Sequence, residues 1–386
     1  MSPALFSPLQ VGNKVARNRL FVPPMCQYTL ENRDGVANYE TAQHYGALAR
    51  GGWGAIIVEA TAVAPAGRIT PWDLGLWNEH QAQALEPIVA DIKAHGALAG
   101  IQLSHAGRKA ATYRWNQGTG TIPTDQGGWQ PLAPSELALA GHTRPQALSE
   151  AEIEQIITAF AKAAKVASKI GFDIIQIHGA HGYLLHEFRS ALSNQRSDAW
   201  GGSQDARNRM SEKTVQAVHE ALAGSDSVLS LRLSATDWLE GGLELSDTVA
   251  LTRQLPQVDW FDISSGGLAP APIPVGPGYQ VGFAQAVKSA LAGTAGNGSA
   301  GSGSYVSGAD SDGVTNATGA ASSAPVVSAV GLITNPDSAE QILVTNQADI
   351  VEVGRPALAN PRLPLSWAKE LGVKLDYMPP QYARGF

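Results

Sequence analysis

The chain has 386 residues, of which 44% are hydrophobic and 16% charged, with a net charge of -7 and a single cysteine, Cys26. A large core can be buried, and an acidic chain without a basic stripe argues against nucleic acid as partner. One cysteine excludes an intrachain disulfide and any cysteine-built zinc or iron–sulfur site. The opening MSPALFSPLQVGNKVARNRL has no apolar signal region, and no run is long enough to span a bilayer. The expectation is a soluble cytoplasmic protein of a reducing compartment, with no membrane partner.

Strand-like and helix-like runs alternate. RLFVPPM (19–25) precedes a helical stretch at 39–50, GAIIVEATAV (54–63) one at 78–95, and ALAGIQLSH (97–105) a long polar segment. A 23-residue helix pattern follows at 149–171, with Ile153, Ile156, Ile157, Phe160, Ala164 and Ala167 on one face and a capping box from Ser149 and Glu152. FDIIQIH (172–178), VLSLRLS (228–234), WFDISS (260–265), PVVSAVG (325–331) and IVEVGR (350–355) continue the strands. Helices are expected at 207–223, 246–254, 283–291 and 336–346, with one more at the end.

Eight mostly continuous apolar strands, each followed by a helix, predict a single-domain (β/α)8 TIM barrel. A doubly wound sheet is the second choice, disfavoured by the lack of an early GxGxxG turn. The 106–144 segment after strand three is a candidate lid. Residues 292–324 before strand seven are Gly, Ser, Ala and Thr with almost no core former, which predicts a flexible insertion.

Barrel chemistry gathers where strands end at their C-termini. Strand four ends in IHGAHGY, placing His178, His181 and Tyr183 together. Two loop histidines can simply be hydrogen-bonded structure. They can also ligate zinc, which needs a third ligand that the spacing does not supply. Or they can offer two N–H donors to one oxygen, with Tyr183 as general acid.

Gly331, Gly354 and Arg355 follow strands seven and eight, the usual phosphate site of this architecture. A phosphate-bearing cofactor across the barrel mouth is expected. Gln102 on strand three can donate and accept to the pyrimidine edge of an isoalloxazine ring. Arg232 on strand five can stabilise that ring's anionic reduced form, or it can instead form a salt bridge inside the barrel, for example with Glu59.

The stretches PPMCQY, VEATAV, QLSHAGRK, HGAHGYLLHEF, LSNQRSDAWGGSQDARNRM and VGRPALANP resemble the Old Yellow Enzyme family of flavin-dependent ene-reductases over nearly the whole chain. Cys26 with Tyr28, the HAGRK stretch and the ending QYARGF resemble its class III, thermophilic-like branch. The 292–324 insertion and Val330, where some relatives carry a larger aromatic, depart from that pattern.

The resemblance implies tightly bound FMN, contacted by Pro23, Pro24, Met25, Cys26, Ala60, Gln102 and Arg232, with Gly331, Gly354 and Arg355 on its phosphate. NADPH, or less readily NADH, is the implied co-substrate and an activated alkene the implied substrate. His178, His181 and Tyr28 bind that alkene's oxygen, Tyr183 donates the proton, and Cys26 tunes the flavin and touches substrate. No metal is implied. The branch also implies a homodimer or homotetramer, with Arg384 reaching a neighbouring active site.

Overall fold

The computed structural model describes residues 3–115, 117–295 and 324–385. Eight parallel strands close into a barrel: β1 (Leu20–Val22), β2 (Ala55–Ala62), β3 (Leu98–Ser104), β4 (Ile174–Gly179), β5 (Val228–Ser234), β6 (Trp260–Ser264), β7 (Val326–Ala329) and β8 (Ile350–Glu352). Each strand pairs with its neighbour in chain order, and β8 pairs with β1 to close the ring. This is the expected (β/α)8 architecture.

Helices α1 (Tyr39–Ala49), α2 (Glu79–Ala94), α3 (Glu150–Lys169), α4 (Leu184–Arg189), α5 (Gln204–Ala221), α6 (Leu245–Gln254), α7 (Val281–Ala295), α8 (Pro336–Val344), α9 (Arg355–Ala359) and α10 (Leu363–Glu370) surround the strands. Their starts follow from capping chemistry. Asn38, Asn78 and Ser149 close capping boxes on α1, α2 and α3, satisfying backbone donors that a helix start leaves open. Helix α5 begins three residues before its expected start because the Ser203 side chain accepts from the Ala206 N–H. The short α4 had no separate signal in the sequence.

The barrel interior is graded. Alternate residues of a strand face one side, and the inward set changes from apolar at the N-terminal end to polar at the mouth. Strand β4 runs Ile174, Gln176, His178; β5 runs Val228, Ser230, Arg232; β6 runs Trp260, Asp262, Ser264. At the floor, Phe21, Ala55, Ile57, Ile174, Val228, Trp260 and Ile350 pack with Val11 and Ala16.

Those last two come from a hairpin, Leu9–Val11 with Lys14–Ala16, that plugs the barrel. Phe21 and Trp260 meet edge to face with ring centroids 5.6 Å apart. The outward residues join a second, larger core beneath the helices. Continuous apolar runs were thus only half the pattern: one face of each strand meets helices, and the other climbs from oil to polar groups.

The expected lid at 106–144 is tied down at several points. It carries short 3-10 turns at Gly107–Lys109 and Thr124–Gln126, and Leu132–Ala133 pairs with Gln146–Ala147. Thr112 N–H bonds Ile69 O, and Trp129 Nε1 bonds Ala66 O at 3.0 Å. The predicted insertion lies outside the described residues over 296–323; its first four positions complete α7.

Candidate active site

His178 ends the inward row of β4, in register with Arg232 of β5, which is in turn in register with Asp262 of β6. The Ala180 N–H donates to His178 Nδ1 at 3.3 Å, so the neutral ring carries its hydrogen on Nε2. Burial, helped by the Arg232 charge, holds His178 and His181 well below the usual histidine range. Both are therefore neutral donors at physiological pH.

The two imidazoles are 5.2 Å apart between centroids, and His178 and Tyr183 are 4.8 Å apart. The three expected residues are brought together. Burial above all raises the Tyr183 phenol above its ordinary value, which keeps its proton in place. His181 is turned so that Nε2 lies 2.7 Å from Ser264 Oγ. The Ser264 hydroxyl faces Gln280 Oε1, so it accepts from the imidazole.

Beyond β1 the segment from Pro23 to Tyr28 crosses the same mouth. Cys26 and Tyr28 pack with Tyr183, Ala60, Ile69 and Trp129. Tyr28 takes a left-handed backbone, φ 54°, and its carbonyl is held by Arg114 at 3.1 Å. Burial raises the Cys26 thiol well above its ordinary value, so the sulfur is a neutral thiol. Behind this segment Glu59 sits at a bulge in β2, where register shifts between Val58 and Ala60. Its Oε2 accepts the Gln27 N–H at 2.8 Å.

Arg232 is buried and its partner is Asp262, with Nε 3.0 Å from Oδ2. The expected alternative partner Glu59 is incorrect: the β2 bulge turns Glu59 toward Gln27 and Tyr45 instead. Glu352 lies beside Asp262. Burial and then the Asp262 charge raise its carboxyl well above the usual range, so it is held protonated.

Gln102 donates to Gln176 Oε1 at 2.7 Å, and Gln176 Nε2 is fixed by Ser230 and Asp262. That leaves the Gln102 carbonyl oxygen and second N–H for a ligand.

The residues suit a flat, hydrogen-bonding ring with an anionic tail. The terminal nitrogens of Arg232 have no protein hydrogen bond among the described residues, although the side chain is almost wholly buried. At the opposite edge the backbone is bare. A Cβ at Gly354 would lie 3.4 Å from Met25 Sδ and 3.6 Å from Pro23 Cγ, and Gly331 holds φ +125° against Gln280. Arg355 beside it is exposed.

Metal ligation by the histidine pair finds no support. Among the described residues no group of three His, Cys, Asp or Glu could hold an ion. His181 Nε2 already faces Ser264, and His178 Nδ1 accepts a backbone N–H. Arg384 is exposed at the C-terminal tail, away from the barrel interior.

The sequence reading missed several residues at the site. Lys109 donates to His181 O at 2.7 Å and to Gly267 O, and lies 5.5 Å from the Tyr183 ring centroid. Burial pushes its ammonium down to about 8. Ser234 accepts the His181 N–H and donates to Gly266 O. These two side chains staple the loop after β4 to the loop after β6. The signal for Lys109 was present in QLSHAGRK, but only the fold brings it under a loop 72 residues away.

Residues 4–373 match the NADH:flavin oxidoreductase / NADH oxidase family. The NADPH dehydrogenase of Bacillus cytotoxicus is 40% identical, the alignment covering 100% of this chain and 97% of the relative. That of Halalkalibacterium halodurans is 39% identical over all of both chains. Among solved structures, morphinone reductase superposes with a TM-score of 0.73 at 24% identity, covering 99% of this chain and 93% of that one. The Old Yellow Enzyme homologue of Zymomonas mobilis gives 0.72 at 23%, covering 100% and 98%. The fold of these two is the same barrel. The chain belongs to the NADH:flavin oxidoreductase / NADH oxidase family and is an FMN-dependent oxidoreductase.

Proposed function

We propose that the enzyme reduces activated alkenes: α,β-unsaturated aldehydes and ketones, imides and nitroalkenes. The observation that carries this reading is the pairing of a neutral His178 donor with a protonated Tyr183 phenol, 4.8 Å apart between ring centroids, beside a mouth suited to a flat cofactor. Bound FMN, held by residues such as Gln102 and Arg232 at its ring, would supply hydride chemistry, with NADPH as the source and the electron-poor carbon of the second substrate as the destination.

The chain does the rest. His178 Nε2–H binds the carbonyl or nitro oxygen and stabilises the negative charge that grows there. His181 joins it by leaving Ser264. Tyr183 gives its proton to the carbon next to the activating group, so one hydride and one proton add across the double bond. Tyr28 and Cys26 pack against the substrate from the β1 side. NADH is the weaker alternative reductant.

The C-terminal Arg384 serves the active site of a neighbouring copy in a homodimer or homotetramer.

Reduced enzyme is mixed anaerobically with 2-cyclohexenone and the reappearance of oxidised flavin is followed. Wild type is expected to reoxidise and yield cyclohexanone. Tyr183→Phe is expected to slow this step on the order of 10²–10⁴-fold, the usual worth of a positioned general acid, while NADPH still reduces the flavin at close to the wild-type rate. Equal loss in both steps, or no alkene reduction by wild type, refutes the reading.

A further inference from the structure

The backbone that carries the site is held in an unusual shape. His181 and Gly182 are consecutive left-handed residues, with φ 59° and 70°. A non-glycine residue in that region costs on the order of 1 kcal/mol or more and persists only where its surroundings impose it. Here they do. Gly182 lies so close to the loop after β6 that a Cβ on it would meet Gly267 O at 2.3 Å, and a Cβ on Gly267 would meet His181 Cα at 2.6 Å.

Each amide of the loop is accounted for. His181 N–H goes to Ser234 Oγ, Tyr183 N–H to Ala180 O, and Leu184 N–H to His105 O. The Gly182 N–H, between the two residues that meet the substrate, donates to His186 Nδ1 at 2.8 Å.

His186 has no route to solvent or substrate; its relative exposure is 0%. Because Nδ1 accepts, its hydrogen is on Nε2, which lies 2.8 Å from Asp237 Oδ1. Asp237 Oδ2 then takes Ser190 Oγ at 2.7 Å and Leu243 N–H at 2.8 Å. Serine, histidine and aspartate meet here, but the serine bonds the aspartate and not the histidine, so no nucleophile is activated. What the cluster does is tie three segments together: the 180–183 loop, α4 and the turn from Asp237 to Leu243. A site needed only for packing is filled as well by an apolar side chain, without the cost of burying a polar pair.

We propose that His186, oriented by Asp237, is a positioning residue for alkene protonation: its Nδ1 fixes the Gly182 amide and so aims His181 and Tyr183. This rests on the alkene-reduction reading above. Misplacing a reacting group by about 1 Å costs on the order of 10²-fold, so the proton-transfer step is the one that feels a loosened loop.

The test compares two replacements in the FMN-loaded enzyme. His186→Asn places an oxygen acceptor where Nδ1 stood. His186→Gln keeps a donor toward Asp237 but removes that acceptor. With 2-cyclohexenone, His186→Gln is expected to reoxidise about 10–100-fold more slowly than wild type and to show a raised solvent deuterium isotope effect. His186→Asn is expected to stay within about threefold of wild type, and flavin reduction by NADPH within about threefold in both.

Amide hydrogen exchange over 180–184 supplies a readout independent of turnover, faster in the Gln variant and near wild type in the Asn variant. Wild-type exchange and reoxidation in a folded, FMN-containing His186→Gln enzyme overturn the proposal. So does a parallel loss of flavin reduction and alkene reduction. If wild type reduces no alkene, the functional reading fails instead, and the exchange data still decide whether His186 holds the loop.

Discussion

Glu59 shows how a single buried group couples the site to pH. Its carboxyl is buried, and no cation pairs with it among the described residues. Oε2 takes the Gln27 N–H and Oε1 the Tyr45 hydroxyl at 3.3 Å, while Tyr45 Oη accepts the Glu59 N–H at 2.8 Å. Burial, and then the Asp73 charge, pushes its pKa up to about 8 from an ordinary 4.5. The folded form therefore holds a proton that the unfolded chain has released between those values. Its contribution to stability is complete below about 4.5 and is lost as pH rises through about 8.

Glu59→Gln keeps an acceptor and a donor but cannot titrate. The melting temperature of the variant, followed from pH 5 to pH 9, is expected to fall less steeply than that of wild type; identical slopes would show that Glu59 does not carry the effect. The sequence showed this residue as a polar end to strand two and as an ion-pair partner for Arg232, not as a buried acid behind Cys26 and Tyr28. The bulge that turns it behind Cys26 and Tyr28 depends on the pairing of β2 with β3, which no local pattern reports. The same holds for Asp262, 30 residues from the Arg232 it neutralises. By contrast His178, His181 and Tyr183 were legible because one turn carries all three.

At the scale of elements, the barrel's floor depends on a hairpin that sequence reading did not single out. Val11 is fully buried against Phe21, Val228 and Trp260, whereas Val15 in the opposing strand is 59% exposed. Two valines of one hairpin thus separate burial from strand propensity. Val11→Ala is expected to lower the unfolding free energy by about 1–3 kcal/mol, the range for losing a buried aliphatic contact. Val15→Ala is expected to stay within about 0.5 kcal/mol. Urea titration of the two variants gives the comparison, and equal midpoints would contradict the plug.

The eight strands and most helices were legible because runs of valine, isoleucine and leucine alternate with 3.6-residue periodicity. The hairpin was not, because LQV and KVA each bury only one residue in three, whereas the equally short β1 and β8 are buried throughout and sit in continuous apolar runs. The inward gradient from Ile174 to His178 was hidden for another reason. Outward residues are equally apolar, so the alternation is masked until the neighbours of both faces are known.

At the scale of the whole molecule, the C-terminal tail limits how far Arg384 can reach. Tyr377 is anchored near the floor: its hydroxyl accepts from Asn18 Nδ2 at 2.9 Å, and the Arg17 guanidinium lies 4.4 Å over its ring. Asn18 precedes β1, at the end of the barrel opposite His178. Tyr382 is held by Arg362, 4.1 Å over its ring, beside Pro361, whose carbonyl takes Trp53 Nε1 just before β2.

Arg384 follows Tyr382 by two residues, about 7 Å of extended chain. Strand β2 alone, at eight residues, is about 26 Å long, and at a tilt of about 36° it climbs about 21 Å from floor to mouth. The tail is too short to bring Arg384 to its own mouth, so any part it plays in binding is played in a second copy.

Complementation measures this directly. Arg384→Ala chains keep Tyr183 but lack the cation; Tyr183→Phe chains keep the cation but lack the proton donor. Mixed and allowed to exchange subunits, the two are expected to give more 2-cyclohexenone reduction at low substrate than the mean of the separate proteins, because a hybrid assembly pairs an intact Tyr183 with a neighbour's Arg384. Sedimentation of each protein confirms that assemblies form and exchange. Activity equal to the mean, in a mixture shown to contain hybrids, would exclude Arg384 from the neighbouring copy's active site.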